Sequence, residues 1–246
     1  FGAALYIYGF AEGWQFLFPE HDASLVVLGI FLTGFVLALI SEKLILRLQV
    51  IVMIGVVVAL GSMLAGFSKL ETMGPVQLWG EFEAGSIWLL FAIFFPAGTG
   101  IKVGASLSGK LKDPRRSIPI GVLAAWVTAL VVYGVMMFWY ASVASPKELT
   151  GDYMIAVDKA IWGPAVIIGL LSSCASAMLS SMVAAPNVLA ALGNHGILPF
   201  GKFLAKESKG GTPRNAALVN GLIVGAALLL GDLNRVAALI TMIFLI

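Results

Sequence analysis

The chain is poor in the residues that most chemistry needs. Cys174 is the single cysteine among 246 residues, so no intrachain disulfide forms and a metal site built on several thiolates is excluded. The two histidines, His21 and His195, sit in loop-like sequence, and no His, Cys or carboxylate cluster has metal-ligand spacing. No nucleophile elbow, Walker loop or catalytic carboxylate pair occurs, which argues against an enzyme and against any resident cofactor. Charge is scarce as well. Charged residues make up 11% of the chain, the net charge is +2, and the lysines and arginines are scattered between loops, which does not suit a nucleic acid partner.

Apolar sequence fills the space. Hydrophobic residues make up 60% of the chain and the mean hydropathy is +0.99, which places it among integral membrane proteins. A hydrocarbon core about 30 Å thick needs about 20 apolar residues per helix. Eight apolar segments, here a to h, lie at about 1–18, 24–41, 48–67, 85–107, 118–144, 164–192, 216–230 and 236–246, and predict an all-α polytopic bundle. No loop is long enough for a second domain, so residues 1–246 read as one transmembrane domain. The chain opens at Phe1 inside one apolar run and stops at Ile246 inside another, with no basic leader, and is expected to be a piece of a longer protein.

Basic residues sort the loops into two sets. Loops a–b, c–d, e–f and g–h carry four, namely Lys69, Lys147, Lys159 and Arg235. The intervening loops carry ten, concentrated in "GKLKDPRRSIP" and "KFLAKESKGGTPRN". This asymmetry puts the rich set in the cytoplasm and "SPKELTGDYMIAVDKAIWG" outside.

Segment d is interrupted at its centre by "FFPAGTGIKVGASLSG", residues 94 to 109. From Gly85 to Ala97 a helix climbs about 18 Å, so Pro96 to Gly100 falls near the bilayer midplane. Pro96 removes a backbone donor, and Gly98 and Gly100 accept conformations that other residues resist. Unpaired backbone groups at that depth cost several kcal/mol each unless something polar satisfies them. The outer half-helix would end near Phe95 with free carbonyls that suit a cation. The inner half would start near Gly100 with free N–H groups that suit an anion. Such a break is a device of secondary transporters; the plainer alternative is a proline kink with glycines for helix packing. Lys102 lies just past the anion end and either adds a positive charge there, reaches a cytoplasmic vestibule, or pairs with Glu12 of segment a.

Two further sets of polar residues lie in the spans. In "SSCASAMLSSMVAAPN" of segment f, Ser173, Ser176 and Ser180 share a helical face, where hydroxyls either coordinate a small cation or simply let helices pack closely. In "LYIYGFAEGW" of segment a, Tyr6 or Tyr8 either turns its phenol toward the break or anchors the helix at the interface.

Several stretches resemble one family. "FFPAGTGIKVGASLSGKLKDPRRSIPIG" resembles the sixth-helix signature of cation-chloride cotransporters, and "AAPNVLAALGNHGILPF" is similar to the stretch after their eighth helix. "LYIYGFAEGW" is similar to their third helix, and "GGTPRNAAL" through "LNRVAALITMIFL" resembles their ninth and tenth. The resemblance implies the inverted-repeat, broken-helix fold of the amino acid-polyamine-organocation superfamily, with segments a to h as about the third to tenth helices. It further implies potassium binding by Tyr6, the Pro96 carbonyl and Thr99, and chloride binding by the backbone amides of Gly100, Ile101 and Lys102. Members that use sodium carry a small residue and two adjacent serines in helix eight, positions that fall here on Ser173, Ser176 and Ala177, so one serine of the pair is missing. Lys102 also departs from the family, whose animal members are apolar at that position.

The resulting expectation is a symporter of potassium and chloride, with sodium as a candidate third ion, working by alternating access around Pro96 to Gly100. The alternatives are an amino acid or amine permease of the same superfamily, and a non-transporting sensor on a transporter scaffold. Expected partners are inorganic ions, the lipid bilayer and a second copy of the chain as a homodimer. The short outer loop e–f and the lack of any Asn-x-Ser/Thr sequon suggest a prokaryotic source, and so an inner membrane.

Overall fold

A computed structural model describes residues 1–40, 42–69, 87–95, 111–152, 154–198, 200–206, 213–229, 231 and 233–245. Among them all regular structure is helical. The helices are α1 (Gly2–Leu17), α2 (Ala23–Ile40), α3 (Glu42–Ala65), α4 (Ile87–Phe94), α5 (Pro114–Val143), α6 (Pro146–Gly151), α7 (Ile155–Lys159), α8 (Gly163–Asn194), α9 (Gly201–Leu204), α10 (Arg214–Leu228) and α11 (Leu233–Leu245). Each of the eight apolar segments contains one of the longer helices. Four, spanning Ala23–Ile40, Arg47–Ala65, Pro114–Val143 and Gly163–Asn194, are long and apolar enough by themselves to cross a bilayer.

The helix ends follow local chemistry. Asp113 accepts a hydrogen bond from the Arg116 amide at 3.4 Å and is followed by Pro114, whose missing N–H costs nothing in a first turn. α8 ends in a Schellman motif. Gly196 takes φ +68°, its amide reaches the Gly193 carbonyl at 3.1 Å, and the Ile197 amide reaches Leu192 at 3.1 Å. α3 starts at Glu42, earlier than the apolar run predicts, because Lys43 and Arg47 ride on its first turns. Charged residues end the hydrocarbon-soluble stretch without ending the helix.

α8 organises the bundle. Its 32 residues span about 48 Å, well beyond the hydrocarbon thickness, and α1, α2, α3 and α10 all pack on it. One core joins Ile7 of α1, Ala38 of α2, Ile45 of α3, Met178 and Met182 of α8 and Val224 of α10. A second, around fully buried Trp139, gathers the end of α5, the end of α3 and the start of α8. There the Trp162 amide donates to the Ser62 hydroxyl at 2.9 Å, Ser62 donates to the Trp162 carbonyl at 2.9 Å, and the Ile161 amide donates to the Ser62 carbonyl at 3.0 Å. Three bonds at one serine lock the α7–α8 connection to α3.

Small residues bring the helices close. A Cβ added to Gly34 of α2 would lie 2.6 Å from the Met178 Cε, and one added to Gly221 of α10 would enter the ring of Phe35. Without a hydrophobic drive between helices in lipid, such contacts supply much of the packing energy.

Candidate functional site

Tyr6 and the serine-bearing face of α8 sit at one level, and small residues fix that register. A Cβ on Gly2 would lie 3.9 Å from the Ser181 Oγ, on Gly9 3.4 Å from the Cys174 Sγ, and on Gly13 3.0 Å from a Leu171 methyl. α1 therefore runs antiparallel to α8 at close range, and Tyr6, midway between Gly2 and Gly9, falls level with Ala177, midway between Ser181 and Cys174.

Tyr6 is half-buried against the main core and within electrostatic reach of Cys174 and of Tyr133 on α5. Tyr133 in turn meets the Phe94 ring edge-on, centroids 5.6 Å apart. Phe94 is the last residue of α4 and stands two before Pro96 in sequence. The helix that leads into the interrupted stretch thus ends against Tyr133 of α5. Pro96, Thr99, Gly100, Ile101 and Lys102 themselves lie outside the described residues.

The two tyrosines of α1 separate cleanly. The Tyr8 hydroxyl donates to the Leu228 carbonyl at 2.6 Å, at the end of α10, where that carbonyl also accepts from the Gly231 amide at 3.2 Å. Among the described residues Tyr6 makes no such helix-end bond, and it keeps a position on the α1 face toward α8.

On α8 the hydroxyls engage the helix itself. Ser173 donates to the Leu170 carbonyl at 2.9 Å, Ser180 to Ser176 at 2.7 Å and Ser181 to Ala177 at 2.9 Å. Ser180 also accepts from the Gln49 amide of α3, so its use is interhelical packing. Gln49 and Tyr133 were missed by sequence reasoning. A lone glutamine or tyrosine in an apolar run signals a buried partner only once its helix neighbours are known.

Glu12 is exposed and lines a cleft of about 490 Å³ between α1, α2, α10 and the start of α11, with Gln15 and Ser24 among its polar walls. Cys174 is within its electrostatic reach. Its expected pairing with Lys102 falls outside the described residues. Among those residues no group of three or more His, Cys, Asp or Glu side chains is placed to hold a metal ion.

Residues 4–246, nearly the whole chain, match the sequence model of the Amino acid permease family. The chain belongs to that family. This permease-family chain is 37% identical over 185 residues to solute carrier family 12 member 9 of Rattus norvegicus, covering 74% of the chain and 19% of the relative. It is 39% identical over 158 residues to cation-chloride cotransporter 1 of Oryza sativa subsp. japonica, covering 64% of the chain and 16% of the relative. To solute carrier family 12 member 8 of Xenopus laevis it is 29% identical over 260 residues, 99% of the chain and 36% of the relative. The chain spans about a sixth to about a third of the length of these relatives. The resemblance drawn from "FFPAGTGIKVGASLSG" and its companion stretches is borne out at the level of family, and the chain is an integral, polytopic, helical membrane protein.

Proposed function

We propose that residues 1–246 form the transport domain of a secondary active symporter for potassium and chloride. Tyr6, the Pro96 carbonyl and Thr99 hold potassium, and the backbone amides of Gly100, Ile101 and Lys102 hold chloride. Ser173, Ser176 and Ala177 form the position where a sodium ion would couple. The observation that carries this reading is the level register of Tyr6 with Ala177, beside an α5 whose Tyr133 meets the end of α4. A phenol oxygen facing a helix break supplies a hard, neutral ligand to a monovalent cation, and the two dipole ends of the break balance a cation against an anion. A similar protein named a cation-chloride cotransporter supports the same reading. Alternating access then rocks the helix carrying the break against α1 and α8. The setting is a plasma membrane, in a prokaryote the inner one, and a homodimer is the expected assembly.

The experiment is rubidium uptake, as a potassium tracer, by the complete gene product in proteoliposomes. Tyr6→Phe and Thr99→Ala should each reduce uptake by about tenfold or more with expression unchanged, since each removes an oxygen ligand from the ion. Uptake that survives both changes would refute the site.

A second reading has its own support in the family description, Amino acid permease. In it the amides at Gly100 to Lys102 bind a substrate carboxylate, and Lys102 takes the place of a bound cation. Amino acid uptake by the same vesicles, with no rubidium uptake, would favour it.

A further inference from the structure

The turn between α1 and α2 carries a groove that the transport reading leaves unused. The Trp14 indole N–H donates to the His21 Nδ1 at 3.0 Å, and the two rings lie within 21° of one plane, so they form a single aromatic plate. Phe18 covers one face of that plate, 4.9 Å from Trp14 and 5.3 Å from His21 between centroids. Trp14 and His21 also border an open groove of about 570 Å³, whose lining does not include Phe18. The carboxylates of Glu20 and Asp22 stand on its rim, and its floor runs down α2 past Leu25 and Gly29 to Ile30, which is backed by the main core. Among the described residues no lysine or arginine lines it.

Each feature selects against a different ligand. Two carboxylates with no opposing basic residue repel anions, which excludes a phosphate-only headgroup as the chief partner. An indole face attracts a cation through its quadrupole, most strongly where water is thin. The apolar floor descends along a membrane-spanning helix, so the occupant carries a hydrocarbon part that enters the bilayer. Gly29 leaves a gap in that floor, since a Cβ there would meet nothing within 4 Å. The loop itself, "FPEHDA", has no Lys or Arg and belongs to the set that the basic-residue count puts outside.

We propose that this groove binds one zwitterionic outer-leaflet phospholipid. Its ammonium lies over the Trp14–His21 plate between Glu20 and Asp22, and one acyl chain lies along Gly29 and Ile30. The site is independent of the ion path, and its occupant would brace the α1–α2 turn above Tyr6.

Native mass spectrometry of the complete gene product tests it, with the protein equilibrated against equal amounts of phosphatidylethanolamine and phosphatidylglycerol of matched chains. The wild type should retain phosphatidylethanolamine in preference. The paired variant Glu20→Gln, Asp22→Asn should lose about tenfold of that preference, and Asn keeps the cap that Asp22 gives the Ser24 amide at 2.7 Å. Gly29→Leu, whose Cβ would meet nothing within 4 Å, should lower retention of the bound lipid to a similar degree. Unchanged preference in both variants overturns the proposal. So does equal displacement of the lipid by soluble glycerophosphoethanolamine, which would assign the site to a free amine instead.

Discussion

Gln49 of α3 donates a side-chain hydrogen bond to the Ser180 hydroxyl of α8, and Ser180 donates onward to the Ser176 carbonyl at 2.7 Å. The relay joins the two helices and ends on the backbone of Ser176, one of the residues proposed to couple sodium. A double-mutant cycle of Gln49→Ala and Ser180→Ala should give a coupling of about 0.6 kcal/mol, and not more than about 1.7, in thermal unfolding of the purified protein. Strict additivity would mean that the bond contributes nothing.

Tyr6 and Tyr8, two positions apart, should respond differently. Tyr8→Phe removes the bond to the Leu228 carbonyl and should cost about 1 kcal/mol of stability while leaving the half-saturating rubidium concentration unchanged. Tyr6→Phe should do the reverse. Unfolding temperature and uptake kinetics measured on both variants check the contrast.

Gly9 keeps α1 against α8, since its Cβ would sit 3.4 Å from the Cys174 Sγ. Gly9→Leu inserts a much larger group at that contact and should cost about 1–3 kcal/mol. By pushing Tyr6 away from Ala177 it should also raise the half-saturating rubidium concentration, whereas Gly121→Ala, in open space on α5, should change neither.

The connection between α5 and α8 carries a pH-sensitive cap. Ser145 and Glu148 form a capping box at the start of α6, with the Ser145 amide and hydroxyl both donating to Glu148 at 2.8 Å, and Lys159 of α7 stands 3.6 Å away. The Ser145 amide first, then its hydroxyl and Lys159, hold the Glu148 carboxyl below its ordinary value of 4.5. A depressed carboxylate contributes order that is full above the ordinary value and is lost as pH falls through the lowered one. Hydrogen exchange at the Glu148 and Leu149 amides should therefore be steady at neutral pH, after correction for intrinsic rates, and should accelerate in acid. Glu148→Gln should flatten that response.

The sequence makes some of this legible and hides the rest for physical reasons. The apolar runs locate most of the described helix ends to within a few residues, because backbone inside hydrocarbon has to be hydrogen-bonded within its own helix. The exception is the start of α3, where Lys43 and Arg47 end the apolar run but not the helix. The Ser145-x-x-Glu148 spacing announces α6 locally, inside a stretch that composition reads only as an outer loop. Tyr6 and the α8 serines are identifiable as candidates, but their shared level is not, because register between α1 and α8 depends on glycines separated in sequence by well over a hundred residues from the side chains they meet. The choice between Tyr6 and Tyr8 likewise needs the end of α10 in place. Backbone at Pro96 to Lys102 lies outside the described residues, so the ion ligands there rest on the sequence pattern and the family.

The most direct test of the symport account is rubidium uptake into proteoliposomes of the complete gene product, with external chloride present or replaced by gluconate. The account predicts uptake that needs chloride and that collapses when gluconate takes its place. Rubidium uptake indifferent to chloride, or none at all beside competent uptake of an amino acid, would contradict it.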